Sequence, residues 1–399
     1  MTCSLSSTRS SWPRCAPKRP PSVPGAEQEA AMVYRPEPDD RAERLQDALA
    51  RARRDGVVIH GAGNFARALR RACEGQGIPV RHFAVSAAPT TAEVDGVPVS
   101  ALADVPAALR RSPLWIGVYN RGADAELTAL RQAGLAAGFD EVRVPQEYFG
   151  WVAEAMGWRF WLAPLQAYAG AQAAIETAYG ILADDESRAT FAAMLDFRRA
   201  LALERPLMPS PELQYFPASL RRYVAAGCVY LDGGAYDGDS IRQAAALLDL
   251  GRVYAFEPDP DNYARLAADL ARQPLPAVCL PMGLSDSNAF LRFNAGAGEG
   301  SSLDPQGDST IQVTRLDDLL VHERVDFLKL DIEGNEMPAL EGARRLIASQ
   351  RPFLAIAAYH RWDDLWRIPA FIHGLGLGYK VSLKLHETNS FESVFYAYH

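Results

Sequence analysis

Short apolar runs alternate with amphipathic stretches along most of this chain, the pattern of successive βα units. Residues 41–54, beginning Arg-Ala-Glu-Arg-Leu, predict one exposed helix. Val57-Val58-Ile59-His60 is a buried-type strand, and Gly61-Ala-Gly63-Asn-Phe-Ala66 leads from it into a helix ending near Cys73. Further strands are expected at Val80–Val85, Trp115–Tyr119 and Glu141–Val144, so residues 57–145 read as a small Rossmann-like βαβ domain within 41–150. From Trp151 to about Leu207 the text changes to Ala-rich helical periods with no strand signal, a helical linker over 151–214. Phe191, Met194 and Leu195 share its core-facing stripe, and Asp185-Glu186-Ser187-Arg188 gives a polar helix start. Pro206, Pro209, Pro211 and Pro217 then discourage regular structure.

The remaining segment, 215–399, alternates regularly. A strand ends at Asp232, a helix covers Ile241–Leu250 behind an Asp239-Ser240 cap, and Arg252–Phe256 is the next strand. Strands follow at Ala277–Leu284, Phe290–Phe293, Val325–Leu330 and Phe353–Ala358, with helices at Met337–Ser349 and Ile368–Leu375. Two late strands, Lys380–Leu385 and Glu392–Tyr398, close the chain as a hairpin-like pair. The fold class is α/β: a doubly wound, mainly parallel sheet with one antiparallel strand, preceded by the small βαβ domain and the helical linker. The Gly/Ser-rich stretch Ala295–Ser302 has the composition of a lid or substrate loop.

Chemistry concentrates at Val229–Ser240, Val-Tyr-Leu-Asp-Gly-Gly-Ala-Tyr-Asp-Gly-Asp-Ser. Gly234 and Gly238 permit a sharp turn and a close approach of backbone to a ligand. The leading acid and the wider glycine spacing set this turn apart from the dinucleotide fingerprint. An acid at the strand tip suits an amine or a hydroxyl and repels a pyrophosphate, which favours S-adenosylmethionine over NAD. Glu257, twenty-five positions after Asp232, ends the next strand, where doubly wound folds place the acid that binds ribose hydroxyls. Gly61–Ala66 does match the dinucleotide pattern, but its second strand ends in Val85-Ser86, without that acid. A structural or substrate-positioning role is expected for the first domain.

Composition narrows the function classes. At 399 residues and 48% hydrophobic content, there is room for two cores. Forty-one Lys and Arg against 49 Asp and Glu give a net charge of −8, and the basic clusters are short, so nucleic acid is disfavoured as a partner. Five cysteines, Cys3, Cys15, Cys73, Cys228 and Cys279, are odd in number and lack metal-type spacing, which fits a reducing cytoplasm. No apolar run approaches the ~20 residues of a membrane span, so no membrane partner is expected. Residues 1–40 read as a disordered tail or an early translation start, with Met32 as the alternative beginning.

Residues 215–399 resemble the FkbM family of S-adenosylmethionine-dependent methyltransferases. The resemblance rests on Leu-Asp-Gly-Gly-Ala-Tyr-Asp-Gly-Asp-Ser (231–240), Ala-Phe-Glu-Pro-Asp (255–259), Gly-Leu-Ser-Asp (283–286), Gly-Ser-Ser-Leu (300–303) and Arg-Leu-Asp-Asp-Leu (315–319). Phe-Leu-Lys-Leu-Asp-Ile-Glu-Gly-Asn-Glu (327–336) is its most specific piece; Asp-Asp-Glu-Ser (184–187) and Gln-Tyr-Phe-Pro (214–217) resemble members with an N-terminal extension. Tyr236 stands where many members have Asn. The resemblance implies a class I methyltransferase fold, with hydroxyls of sugars and polyketides as acceptors.

On this reading Asp232 meets the cofactor's amino group, directly or through water, and Glu257 its ribose. Gly233, Gly234 and Gly238, with Ala235 and Tyr236 between them, form the backbone cradle, Pro258 follows the ribose acid, and Asp286 is the candidate for the adenine edge. Asp331, at a strand tip near the methyl group, is the expected base or acceptor anchor. His360 is the other base candidate, because an imidazole titrates near neutrality. Tyr359 and His386 are further wall candidates. Asp331 and Glu333 offer carboxylates of the kind Mg²⁺ takes, but acids two residues apart are commonplace, and no metal is assigned. The function expected is O-methylation of a small hydroxylated acceptor; its rivals are an NAD-dependent oxidoreductase using Gly61–Ala66 and a non-catalytic nucleotide-binding module of a biosynthetic assembly.

Overall fold

The computed structural model describes residues 41–296 and 302–399, with side chains from Arg44 onward. The expected tail at 1–40, Cys3 and Cys15, and the centre of the Ala295–Ser302 loop lie outside the described residues.

The first sheet is built by β1 (Val57–His60), β2 (Val80–Val85), β3 (Glu93–Val94), β4 (Val97–Ala101), β5 (Leu114–Ile116) and β6 (Val142–Arg143), in the order β3-β4-β2-β1-β5-β6. Helices α1 (Arg41–Asp55), α2 (Asn64–Gly75) and α3 (Leu127–Ala136) belong to it. Strands β3 and β4 were not foreseen, although Asp95-Gly96 between them, at φ 50° and 76°, is a two-residue hairpin turn of the kind that signals such a pair. The helical region then runs through α4 (Pro145–Met156), α5 (Leu165–Ala169), α6 (Gln172–Ile181) and α7 (Asp185–Arg198). Asp184 caps α7 by accepting from the Ser187 N–H at 2.7 Å, and Phe191, Met194 and Leu195 are buried as the pattern predicts.

The second sheet has seven strands: β7 (Cys228–Gly233), β8 (Leu250–Phe256) and β9 (Ala277–Leu280), then β14 (Phe327–Leu330), β15 (Phe353–Ala357), β16 (Lys380–Leu385) and β17 (Ser393–Tyr398). The order is β16-β17-β15-β14-β7-β8-β9, and only β17 runs against its neighbours. This is the class I methyltransferase arrangement implied by the resemblance. Tyr230, Phe327, Phe353 and Tyr396 stack through its core, with ring centroids 4.8 Å apart for Tyr230–Phe327 and 5.3 Å for Phe327–Phe353. Helices α8 (Asp239–Leu247), α9 (Pro260–Leu270), α11 (Glu336–Gly342), α12 (Arg344–Gln350) and α13 (Asp364–Gly374) link the strands.

Two expected elements are broken. The run Ala277–Leu284 contains Pro281, which donates no ladder hydrogen bond, and the chain leaves the sheet there. Gly283-Leu284 becomes β10 of a separate four-stranded sheet with β11 (Ala289–Asn294), β12 (Ser302–Leu303) and β13 (Ser309–Thr314), in the order β10-β13-β11-β12. The helix expected over 337–349 splits at Ala343, because Asp317, in the short helix α10 (Leu316–Leu319), accepts from the N–H groups of Arg345 and Leu346 and starts α12 afresh.

Strand ends and loops tie the first sheet and the linker to the second. The β16–β17 loop holds Asn389, Ser390 and Glu392 at positive φ. Asn389 Nδ2 donates to the carbonyls of Asn120 (3.0 Å) and Ala125 (2.7 Å), and its Oδ1 accepts from Leu127 N–H. Arg198, 1% exposed, donates from Nε to Ser390 Oγ at 2.7 Å and lies over the Trp161 ring. No helix among the described residues is long and apolar enough to cross a membrane.

Candidate functional site

A pocket opens beyond the carboxyl ends of β7, β8, β14 and β15, where ligands of open α/β sheets bind. Its floor is the turn after β7. Gly234 takes φ +75°, Tyr236 +47° and Gly238 +88°, three left-handed residues within five. A Cβ on Gly234 would stand 1.8 Å from the Asp331 carbonyl oxygen, so only glycine lets β7 and β14 end side by side here. The helix cap expected at Asp239-Ser240 is instead left-handed Gly238, and the Ser240 hydroxyl turns inward to donate to Asp232 Oδ2 at 2.5 Å.

That contact belongs to the largest correction. Asp232 does not face the pocket; it is fully buried, with Lys329 Nζ 2.8 Å from its Oδ1. The same ammonium donates to the Gly234 carbonyl at 2.9 Å, so the ion pair holds the glycine turn from behind. Burial pushes the Asp232 carboxyl above its ordinary range against the pull of Lys329; burial works to lower Lys329, and Asp232 and Asp331 outweigh it. Lys329 itself lines the pocket. Among the cradle residues, Gly234 and Tyr236 line the pocket; a Cβ on Gly233 would meet Leu330 and Leu284 side chains, and Ala235 is fully buried.

Glu257 does face the pocket, from the tip of β8, with Pro258 beside it. Its Oε2 accepts from Tyr236 N–H at 2.9 Å and its Oε1 from Asp259 N–H at 2.9 Å. Burial raises its pKa from 4.5 to about 7 despite these donors. Asp286 is exposed and absent from the lining, because the chain crosses to the small sheet at β10; Met282, Gly283 and Leu284 occupy that wall. Ser302 and Leu303, from the end of the expected lid loop, also line the pocket.

At the opposite wall Asp331 accepts from Tyr215 OH at 2.5 Å and Tyr359 OH at 3.4 Å. Burial acts to raise its pKa, but His360 and Lys329 outweigh it, so the carboxylate lies below its ordinary range. His360 is no free base. It is fully buried and outside the pocket lining, with Nδ1 2.8 Å from Glu336 Oε1 and Nε2 facing Asp331 and Glu333. Burial disfavours its charged form, yet Glu336 and Glu333 outweigh that and hold its pKa well above the ordinary value. Tyr359 lines the pocket, whereas His386 does not; its Nε2 pairs with Tyr396 OH at 2.8 Å.

Among the pocket residues to which the sequence reading gave no role are Arg121, Gln214, Tyr215 and Glu392. Arg121 comes from the loop after β5 and pairs with Glu392 of the β16–β17 loop, which also accepts from Gln214 Nε2 at 2.5 Å. Gln214 and Tyr215 sat in a quoted motif without a role, and Arg121 has no local signal, since its partner is 271 positions away. The Gly61–Ala66 turn exposes Gly63 and Asn64, and at its end Phe65 lies 5.3 Å from Tyr119, which packs on Trp161 and Phe391.

Residues 232–381 match the methyltransferase FkbM domain. The hexuronic acid methyltransferase AglP of Haloferax volcanii is 32% identical over 103 residues, 24% of this chain and 43% of that protein. The chain thus spans less than half the length of this curated relative. A solved structure of methyltransferase FkbM from Methylobacillus flagellatus KT superposes with a TM-score of 0.66 at 21% identity, covering 90% of this chain and 99% of that one, and shares its fold.

Proposed function

We propose, from a chain whose residues 232–381 are a methyltransferase FkbM domain, that the protein is an S-adenosylmethionine-dependent O-methyltransferase acting on a hydroxyl of a small sugar-like or polyketide-like acceptor. One observation carries the reading: Glu257 stands in the pocket beside the glycine turn, accepting from the Tyr236 N–H of that turn, in a lining rich in acids. Asp239, Glu257, Asp331, Glu333 and Glu392 outnumber Arg121 and Lys329 there, which favours a cationic donor. The name of the archaeal relative supports a sugar-derived acceptor.

Bound in this pocket, S-adenosylmethionine supplies an electrophilic methyl group. Glu257 would accept hydrogen bonds from its ribose hydroxyls, and Gly234 and Tyr236 would hold its amino-acid end. Asp232 acts at one remove: with Ser240 and Lys329 it fixes the turn. Asp331, ionised and oriented by Tyr215 and Tyr359, accepts a hydrogen bond from the acceptor hydroxyl, holds its oxygen toward the donor and takes up the proton that the oxygen sheds on methylation. Orientation of this kind lowers bimolecular barriers by on the order of 7–11 kcal/mol in well-aligned systems. His360, with both nitrogens facing carboxylates, has no part as the base.

Calorimetry with S-adenosylhomocysteine and NAD tests the reading. The former is expected to bind in the micromolar range and about 30-fold or more weakly to Glu257→Ala, as loss of hydrogen bonds to a charged group implies. NAD is expected not to bind; NAD binding that disappears in Gly63→Val, with no affinity for S-adenosylhomocysteine, would overturn the proposal.

Glu257 also predicts a pH dependence. Its carboxylate form is the ribose acceptor, and its pKa in the free protein is about 7. Affinity for S-adenosylhomocysteine should therefore fall by up to about tenfold per pH unit below 7. The sign for stability is opposite. A carboxyl raised from 4.5 to about 7 contributes stability at low pH that is lost as pH climbs through 7. At pH 8 Glu257→Gln should thus stabilise the ligand-free protein, by at most on the order of 3 kcal/mol, while weakening ligand binding. Urea melts at pH 5 and pH 8 check this; equal stability changes at both would contradict it.

A further inference from the structure

We propose that His360 is a positioning residue for the transfer: a buried imidazolium, shared between Asp331 and Glu333 and anchored by Glu336, that holds Asp331 as an oriented carboxylate. This deepens the methyltransferase reading and rests on it for the part that Asp331 plays.

The turn from β14 into α11 wraps the imidazole. Glu333 and Gly334 take φ +53° and +93°, and Asp331, Glu333 and Glu336 all approach the one ring. Glu336 is fully buried, and its Oε1 accepts from Ile332 N–H at 2.8 Å, so the backbone of the turn fixes it. The same oxygen lies 2.8 Å from His360 Nδ1. On the other side of the ring, Nε2 stands 3.4 Å from Asp331 Oδ1 and 3.6 Å from Glu333 Oε2. Both separations are long for a hydrogen bond, so Nε2 is shared between two oxygens and committed to neither.

This arrangement dictates the charge of the ring. A neutral imidazole has one N–H and one lone pair, and an ionised carboxylate only accepts. With carboxylates at both nitrogens, a neutral ring would set its lone pair against a negative oxygen, whereas the imidazolium donates on both sides. Burial disfavours that charge, and Glu336 and Glu333 outweigh it. Asp364 of α13 is pushed up to about 8 by burial and by Glu336, so it adds little charge near neutral pH. Lys329 acts on Asp331 from β14, and Arg121 is paired with Glu392 across the pocket.

Asp331 is thereby held from several sides. Tyr215 OH donates to its Oδ2 at 2.5 Å, and Tyr359 OH and His360 Nε2 both stand 3.4 Å from its Oδ1. In the transfer the acceptor oxygen bonds the methyl carbon as the carbon–sulfur bond breaks. The oxygen's proton passes to Asp331 and from there to solvent. A weakly basic carboxylate suffices, because the proton on a methylated oxygen is far more acidic than that of an alcohol. His360 keeps both its protons throughout, and Glu333 is the counter-charge it leans on while Asp331 is protonated.

The test reads charge states in the full chain without ligand. With ¹⁵N-labelled histidine, one of the seven rings should keep both N–H groups at pH 8, where His60, His82 and His386, their pKa values lowered by burial, are neutral. This measurement uses the unmutated protein and depends on no variant folding; the absence of any imidazolium at pH 8 would overturn the proposal. With ¹³C-labelled aspartate, and Asp331→Asn to identify the resonance, the Asp331 titration should move up by about 1–3 pH units in His360→Gln, as loss of an adjacent opposite charge implies. An unmoved titration in a folded His360→Gln would equally overturn it, since a merely structural histidine leaves that carboxylate where it was. S-adenosylhomocysteine calorimetry on the same samples keeps the two readings apart: ligand binding to a chain whose His360 is neutral removes the positioning role alone.

Discussion

Lys329→Met is expected to cost the folded chain about 3–5 kcal/mol, because it strands the Asp232 carboxylate in a site with no access to water. Ser240 Oγ at 2.5 Å is its remaining close donor, and a single hydroxyl does not compensate a buried charge. The same change frees the Gly234 carbonyl, so affinity for S-adenosylhomocysteine should fall with stability. The double variant Asp232→Asn with Lys329→Met should recover a substantial part of the stability, since removing both charges relieves the uncompensated burial. Denaturant melts of the two singles and the double form a cycle. Additive losses would mean that the two groups do not act as a pair.

Gly234→Ala should be more damaging still. Its Cβ would stand 1.8 Å from a backbone oxygen of β14's end, which no side-chain rotation relieves, and φ +75° penalises any side chain besides. Losses of on the order of 4 kcal/mol or more, or failure to fold, are expected. Gly63→Ala, in the Gly61–Ala66 turn, is the matched comparison. Nothing lies within 4 Å of the new Cβ, and the residue sits at φ −77° as the cap of α2, so a change of about 1 kcal/mol is expected. Thermal melts and calorimetry with S-adenosylhomocysteine read both. A well-folded Gly234→Ala with undiminished affinity would sink the placement of the donor on this turn.

The second sheet was legible because its strands alternate with helices and end in chemistry: Asp232, Glu257 and Asp331 all fall at strand tips, as their patterns indicate. Where side chains point was less legible. Strand position alone cannot say whether an acid faces the crevice or turns back under it. The decisive clue at Asp232 was present but unused. Lys329 is the one charged residue within Phe-Leu-Lys-Leu, and a lysine in a buried strand requires a carboxylate close by. His360 was misjudged for a related reason, since its ordinary pKa says nothing once three acids from another loop surround it. Asp286 failed through Pro281, which takes the chain into another sheet.

The clasp between the β16–β17 loop and the segment Asn120–Ala125 bears on how the part of the chain from residue 215 onward can be handled. Cut free near residue 215, it would be a poor graft onto any other scaffold, arriving with Glu392 and its strained neighbours unsupported and one rim missing. Retuning what the pocket binds is then better attempted by redesigning a remote stretch upstream than by swapping the whole segment.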